Sequence, residues 1–214
     1  MASPAGSPER PEHRWPALIA IAIAIIIYTL LPAHDQLVPR WIVPVLAGSM
    51  LIPLLILNPH HFTRETQWSR WLSIGIAVLL TGANQVEVVG TIVHLVQGTS
   101  AAPTVLLSAL QVWLTDVVAF ALIFWELDRS GPFARRMGGG SAPDFHFPQE
   151  DNGTTQWMPG FVDYLYFSLS NMMAFSPTDV MPLTPRAKGF MAAQAFTGFV
   201  LLALVISRAV NILS

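Results

Sequence analysis

Long apolar runs separated by short polar stretches dominate the chain. The runs cover roughly residues 16–32, 41–57, 70–96, 104–126 and 188–211. At a rise of 1.5 Å per residue, about 20 residues cross a hydrocarbon core of about 30 Å, so each run predicts a transmembrane helix, the first two short. Trp15, Tyr28 and Trp41 lie near helix ends, where interfacial anchors belong. Pro44 and Pro53 each remove a backbone donor from the second helix and are candidates to kink it. A less hydrophobic stretch, about 160–175, carries Phe161, Tyr164, Tyr166 and Phe167 and runs into Ser176-Pro177-Thr178-Asp179. It predicts either a half-buried re-entrant helix or a sixth span. Irregular backbone after it is tolerable only against protein or water. The expected fold is all-α: a polytopic membrane bundle of five transmembrane helices plus a re-entrant pore-like helix, with six full spans as the alternative.

The flanking segments divide the chain. Residues 1–15 are rich in Pro, Ser, Glu and Arg and predict a mobile tail. The first apolar run is long for a signal-peptide core, and Pro32-Ala33-His34-Asp35 is a poor cleavage site, so it is expected to remain as a helix. Residues 16–103 form the N-terminal transmembrane part and 104–214 a pore-like part. Within the latter, the polar connection 127–159 contains Gly138-Gly139-Gly140 and predicts a flexible segment or a partly ordered cap.

Composition narrows the function. Charged residues are 11% of the chain, against about 25% in soluble domains. A net charge of -2 leaves no polybasic footprint, so no nucleic-acid partner is expected; the partner is the lipid bilayer. The absence of cysteine excludes disulfides, thiolate metal sites and cysteine nucleophiles. The glycine run lacks the GxxxxGK[ST] pattern and follows no strand. No Ser-His-Asp order, zinc signature or nucleotide motif points to an enzyme, a cofactor or a metal site. Asn152-Gly153-Thr154 matches a glycosylation acceptor, a motif common by chance.

Polar residues inside the apolar runs are the first candidate chemistry. Asn84, Glu87, Thr91 and His94 follow spacings of three, four and three, which places them on one helical face, beside Gln85. The next run carries Gln111, Thr115 and Asp116. Charges at membrane depth are expensive and should face the bundle or a watery cavity. Glu87 or His94 pairing with Asp116 would make a proton or cation relay; the same groups could equally be interhelical hydrogen bonds that fix the bundle.

The second candidate is YFSLSNMMAFSPTDVMPLTPRAK, residues 166–188. It resembles the pore module of the tetrameric potassium-channel superfamily, whose pattern reads YFSxxTxxTVGYGDxxPxTxxxR. Tyr166, Phe167, Ser168, Asp179, Pro182 and Thr184 match without a gap, and Lys188 falls where a basic residue is common. The resemblance implies a homotetramer, an outer helix at 104–126, an inner helix at 188–211 with Gly198 as its hinge, and passage of monovalent cations. Tyr166, Phe167, Ser176 and Asp179, with the glycine cluster and Asp144-Phe145, also resemble a family of uncharacterised bacterial integral-membrane proteins, which implies a multi-pass protein of the bacterial plasma membrane. The departure is in the filter: Ala174-Phe175-Ser176-Pro177-Thr178 stands where TVGYG is expected. Glycines there permit backbone shapes that Ser176 and Thr178 resist, and Pro177 fixes φ and supplies no N–H. A wider hydrated path lined by Asn171, Ser176 and Thr178, closed by Phe175 and focused by Asp179, fits these side chains better. The competing reading of Ser-Pro-Thr-Asp is a helix stop followed by a capped start.

Charge distribution sets an orientation. Arg10, Arg14, Arg64, Arg70, Arg129, Arg135 and Arg136 fall in alternate segments and oppose Arg40 alone. The positive-inside rule puts the N-terminus and residues 127–159 in the cytoplasm. An ordinary pore loop enters from outside. The sequence therefore calls for a sixth crossing, which places Arg186 and Lys188 outside, or for a loop that re-enters from the cytoplasm. The expected function is a channel-like cation path; the alternatives are a proton-coupled carrier using Glu87, His94 and Asp116, and a non-conducting scaffold.

Overall fold

A computed structural model describes residues 15–30, 39, 41–57, 67–97, 102–136, 141–152, 157–173 and 179–213. The helices are α1 (Trp15–Leu30), α2 (Ile42–Leu57), α3 (Gln67–Gln97), α4 (Ala102–Leu127), the short α5 (Pro132–Arg136), α6 (Phe161–Met172) and α7 (Pro185–Leu213). Two two-residue strands, β1 (Phe145–His146) and β2 (Met181–Pro182), pair antiparallel with Phe145 opposite Pro182 and His146 opposite Met181. The fold is an all-α bundle, and α3, α4 and α7 are each long and apolar enough to cross a membrane. Their 31, 26 and 29 residues rise about 46, 39 and 43 Å. α1 and α2, with 16 residues each, rise about 24 Å. Pro44 sits in the first turn of α2, where its missing N–H has no helical acceptor to lose.

α4 is the centre, packed against α1, α3, α6 and α7. Its stretch Ala119 to Trp125 is buried all round, as an apolar helix without a polar face must be. α7 buries one stripe, Ala187, Gln194, Thr197 and Leu201, and exposes Phe196, Phe199, Ile206 and Val210 on the other side. Trp15 and Trp41 are exposed, as anchors would be. Tyr28 is not an anchor: it is buried and donates to Glu87, because α1 turns its hydroxyl into the bundle.

Over its described residues the long connection is built down onto the bundle. α4 ends where Arg129, Ser130 and Gly131 take positive φ (51°, 67° and 98°), turning the chain sharply. Phe145 and Phe147 then stack into Phe124 of α4 and Tyr164 and Phe167 of α6, with centroids 4.7–5.3 Å apart for Phe124–Phe167, Phe145–Phe167, Phe124–Phe145 and Phe147–Tyr164.

α6 starts at this same end. Its 12 residues rise about 18 Å, well short of a 30 Å core. The Asp163 carboxylate accepts from the Gly160 N–H at 2.7 Å and caps it. Deeper in, the Ser168 hydroxyl donates to the Val117 carbonyl at 2.7 Å. The backbone carbonyl of Met172 reaches α7 beside Gly198, a residue about 20 Å along that helix from Pro185. β2 then lies back beside β1, and Thr184 opens α7: its hydroxyl accepts from the Ala187 N–H at 3.3 Å, with Pro185 at the first helical position. The segment from α6 to α7 therefore starts and finishes at one end of the bundle.

Candidate functional site

Two polar clusters lie in this frame. The inner one joins α3 and α4. Asn84, Glu87, Val88 and Thr91 form the buried stripe of α3, the face the spacing predicts. Opposite them Asp116 is fully buried. Its Oδ1 accepts from Asn84 Nδ2 and from Gln85 Nε2, both at 2.7 Å, while its Oδ2 has no partner. Two amide dipoles thus aim their positive ends at one oxygen and leave the other bare. Neither Glu87 nor His94 meets Asp116 as the sequence suggests. Glu87 instead accepts from the Tyr28 hydroxyl at 3.2 Å, so its partner comes from α1. His94 lies further toward the end of α3, with Nδ1 buried and unpartnered. Gln111 Oε1 is also unpartnered, and the Thr115 hydroxyl turns back to the Gln111 carbonyl at 2.8 Å.

Gln85 also faces α7. Its Oε1 lies 3.5 Å from the Thr197 hydroxyl, whose single proton is better placed for the Ala193 carbonyl at 3.0 Å. One turn nearer the start of α7, Gln194 donates to the Ser168 hydroxyl at 2.6 Å and to the Ser168 carbonyl at 3.2 Å. Asn171 donates to Gln194 Oε1 at 2.9 Å and to the Met191 carbonyl at 3.0 Å. These bonds satisfy the polar face of α6 against α7, so Asn171 points into its own bundle. Gly198 is buried within a continuous α7, against Met172.

The outer cluster ties down the cap. Asp128, at the end of α4, is fully buried; its Oδ1 accepts from the Asp144 N–H at 2.8 Å and its Oδ2 from the Tyr164 hydroxyl at 2.5 Å. The buried Arg135 guanidinium donates to the Asp128 carbonyl at 3.0 Å, lies 3.8 Å from its carboxylate and sits over the Tyr164 ring. Asp144 is also fully buried and receives Arg186 at both oxygens, at 2.7 and 2.6 Å, and the Thr184 hydroxyl at 2.5 Å. Fork-on-fork pairing of this kind fixes direction as well as charge. At the surface, His146 contacts Asp151 at 3.1 Å and Glu150 at 3.3 Å. The hydrogen bond to Asp151, then the two carboxylate charges, raise its pKa above the ordinary imidazole value.

Asp179 is exposed at this end and borders a cavity of about 140 Å³ shared with Gln149, Asp163, Tyr166 and Ser170. Ala174, Phe175, Ser176, Pro177 and Thr178 lie outside the described residues. Among the described residues no three His, Asp or Glu side chains gather as a metal site would require. The sequence reading missed both donors to Asp116, Asn84 and Gln85, Tyr28 as a partner of Glu87, and the whole outer cluster. Comparison with protein-family models, curated proteins and solved structures returns no match.

Proposed function

We propose that this chain is an ion-coupled membrane transporter whose charge-dependent step runs through Asp116, with Glu87 one turn past Asn84 on the facing stripe of α3. The observation that carries the reading is the Asp116 carboxylate, fully buried between α3 and α4, one oxygen gripped by two amides and the other free. A carboxylate at this depth is costly, and a bare oxygen on it is the kind of exception that marks a functional group. Purified protein in liposomes tests the reading with an internal pH dye and radioactive sodium and rubidium. Gradient-driven movement of at least one of these ions is expected, with loss in Asp116→Asn and weakening in Glu87→Gln. Flux equal to empty liposomes from folded protein, or flux untouched by Asp116→Asn, refutes it.

A second reading keeps the pore: a homotetramer with five spans and a helix re-entering from the cytoplasm, in a bacterial plasma membrane. Three observations favour that arrangement. α6 is too short to cross, and both ends of its segment are held by Asp128 and Asp144. The cap end then carries Arg129, Arg135, Arg136, Arg186 and Lys188, so the positive-inside rule is met without placing Arg186 and Lys188 outside. Val162 and Tyr166 of α6 and Phe196 and Phe199 of α7 are exposed, which leaves a face for neighbouring copies. Monovalent-cation flux reduced by Asp179→Asn, from a particle of tetrameric mass, is the expected result; a monomer carrying full flux refutes the pore.

A further inference from the structure

We infer that the free Oδ2 of Asp116 is a proton-binding site and not a site for sodium or potassium. The inference rests on the transporter reading and names its coupling ion. A buried carboxylate needs compensating positive charge, and among the described residues no ion pair reaches Asp116. The side chains bonded to it are amides that present N–H, not oxygen. A metal cation beside Oδ2 would need several oxygen ligands, and those donor groups would repel it. A proton needs only the one bare oxygen. When it binds, an O–H bond forms at Oδ2, while Oδ1 becomes a carbonyl that still accepts from Asn84 and Gln85. Both states therefore keep the two amide bonds, and only the bare oxygen changes.

The titratable groups on the surrounding helices are otherwise engaged or distant. On α3, Glu87 is bonded to Tyr28 of α1, and His94 lies two turns beyond it. On α6, Asp163 caps the helix start and Tyr164 is committed to Asp128. On α7, Arg186 is held by Asp144. On α4 itself, Glu126 and Asp128 sit at the cap end, about 15 and 18 Å along the helix.

Infrared difference spectra of the full-length protein in vesicles, acid minus alkaline, test the site. A carboxylic-acid carbonyl band that titrates, shifts in heavy water and is lost in Asp116→Asn is expected. It should be unchanged when sodium or potassium chloride replaces choline chloride at constant pH. Where Asp116→Asn fails to assemble, Asn84→Ala keeps the carboxyl, removes one donor and should shift the band. Displacement of the band by sodium or potassium, absence of any titrating band, or a band indifferent to both substitutions overturns the inference. A titrating band without ion transport leaves the proton site standing and fails the transporter reading. Sodium-driven transport without the band does the reverse.

Discussion

Gly198→Ala sets two effects of opposite sign against each other. An alanine in a helix interior is favoured over glycine by about 1 kcal/mol. At Gly198, however, a Cβ would come closer to the Met172 carbonyl oxygen than side-chain carbons are found, and would lie 3.0 Å from the Met172 sulfur and 3.2 Å from its carbonyl carbon. The sulfur can swing away; the carbonyl belongs to the backbone of α6. Relief needs a displacement of about 1 Å between α6 and α7, since ordinary contact begins near 3.4 Å. Overpacking of this kind costs about 1–3 kcal/mol. The same shift strains the Gln194–Ser168 and Asn171–Gln194 bonds, each worth about 1 kcal/mol. The sum outweighs the propensity gain, for a net loss of about 1–3 kcal/mol. Gly82 and Gly189 provide internal controls: a Cβ there meets nothing within 4 Å, so their alanine variants should be neutral or slightly stabilised. Thermal unfolding in detergent, followed by tryptophan fluorescence, and hydrogen exchange of α6 read the difference. Gly198→Ala matching the two controls would refute the close approach.

Three further outcomes follow from the cap. Tyr164→Phe keeps the ring stack but removes the hydroxyl from buried Asp128, and should lower stability by about 1–3 kcal/mol, read as a fall in melting temperature; an unchanged melting temperature argues against the bond. Asp144→Asn breaks the paired hold on Arg186. With the guanidinium half exposed and the carboxylate fully buried, a loss of about 1–3 kcal/mol is expected, with faster amide exchange at the start of α7; equal exchange in both proteins counts against it. His146 gains its partners in the folded state, so its contribution is complete below the unfolded value of about 6.5 and fades as pH rises through the higher folded value. His146→Gln should flatten that slope in melting temperature against pH, and a slope surviving the substitution assigns it elsewhere.

What the sequence discloses depends on how local the governing interaction is. The spans at α3, α4 and α7 follow from apolar length, and the α3 face follows from helical period. Apolar length starts the last helix at 188, whereas α7 opens three residues earlier at Pro185 behind the Thr184 cap, since polar first-turn residues carry no apolar signal. Gln85 escapes the face rule, since a long amide one position off the stripe still reaches Asp116. Tyr28 reads as an anchor because aromatic identity near a helix end does not reveal which way the ring turns. The outer cluster is least legible: Asp128 and Tyr164 are 36 residues apart, Asp144 and Arg186 are 42, and no spacing signals a pair made by tertiary packing.

The order of synthesis gives that outer cluster a consequence for biogenesis. Asp128, Arg135 and Asp144 leave the ribosome before Tyr164, Thr184 and Arg186. Asp128 and Arg135 can neutralise each other while the chain is still growing, but Asp144 waits for the base of α7. A nascent chain halted before Arg186 would keep the Asp144 carboxylate uncompensated, a handle for membrane quality control. Arrival of the first turn of α7 is thus the event that locks the cap.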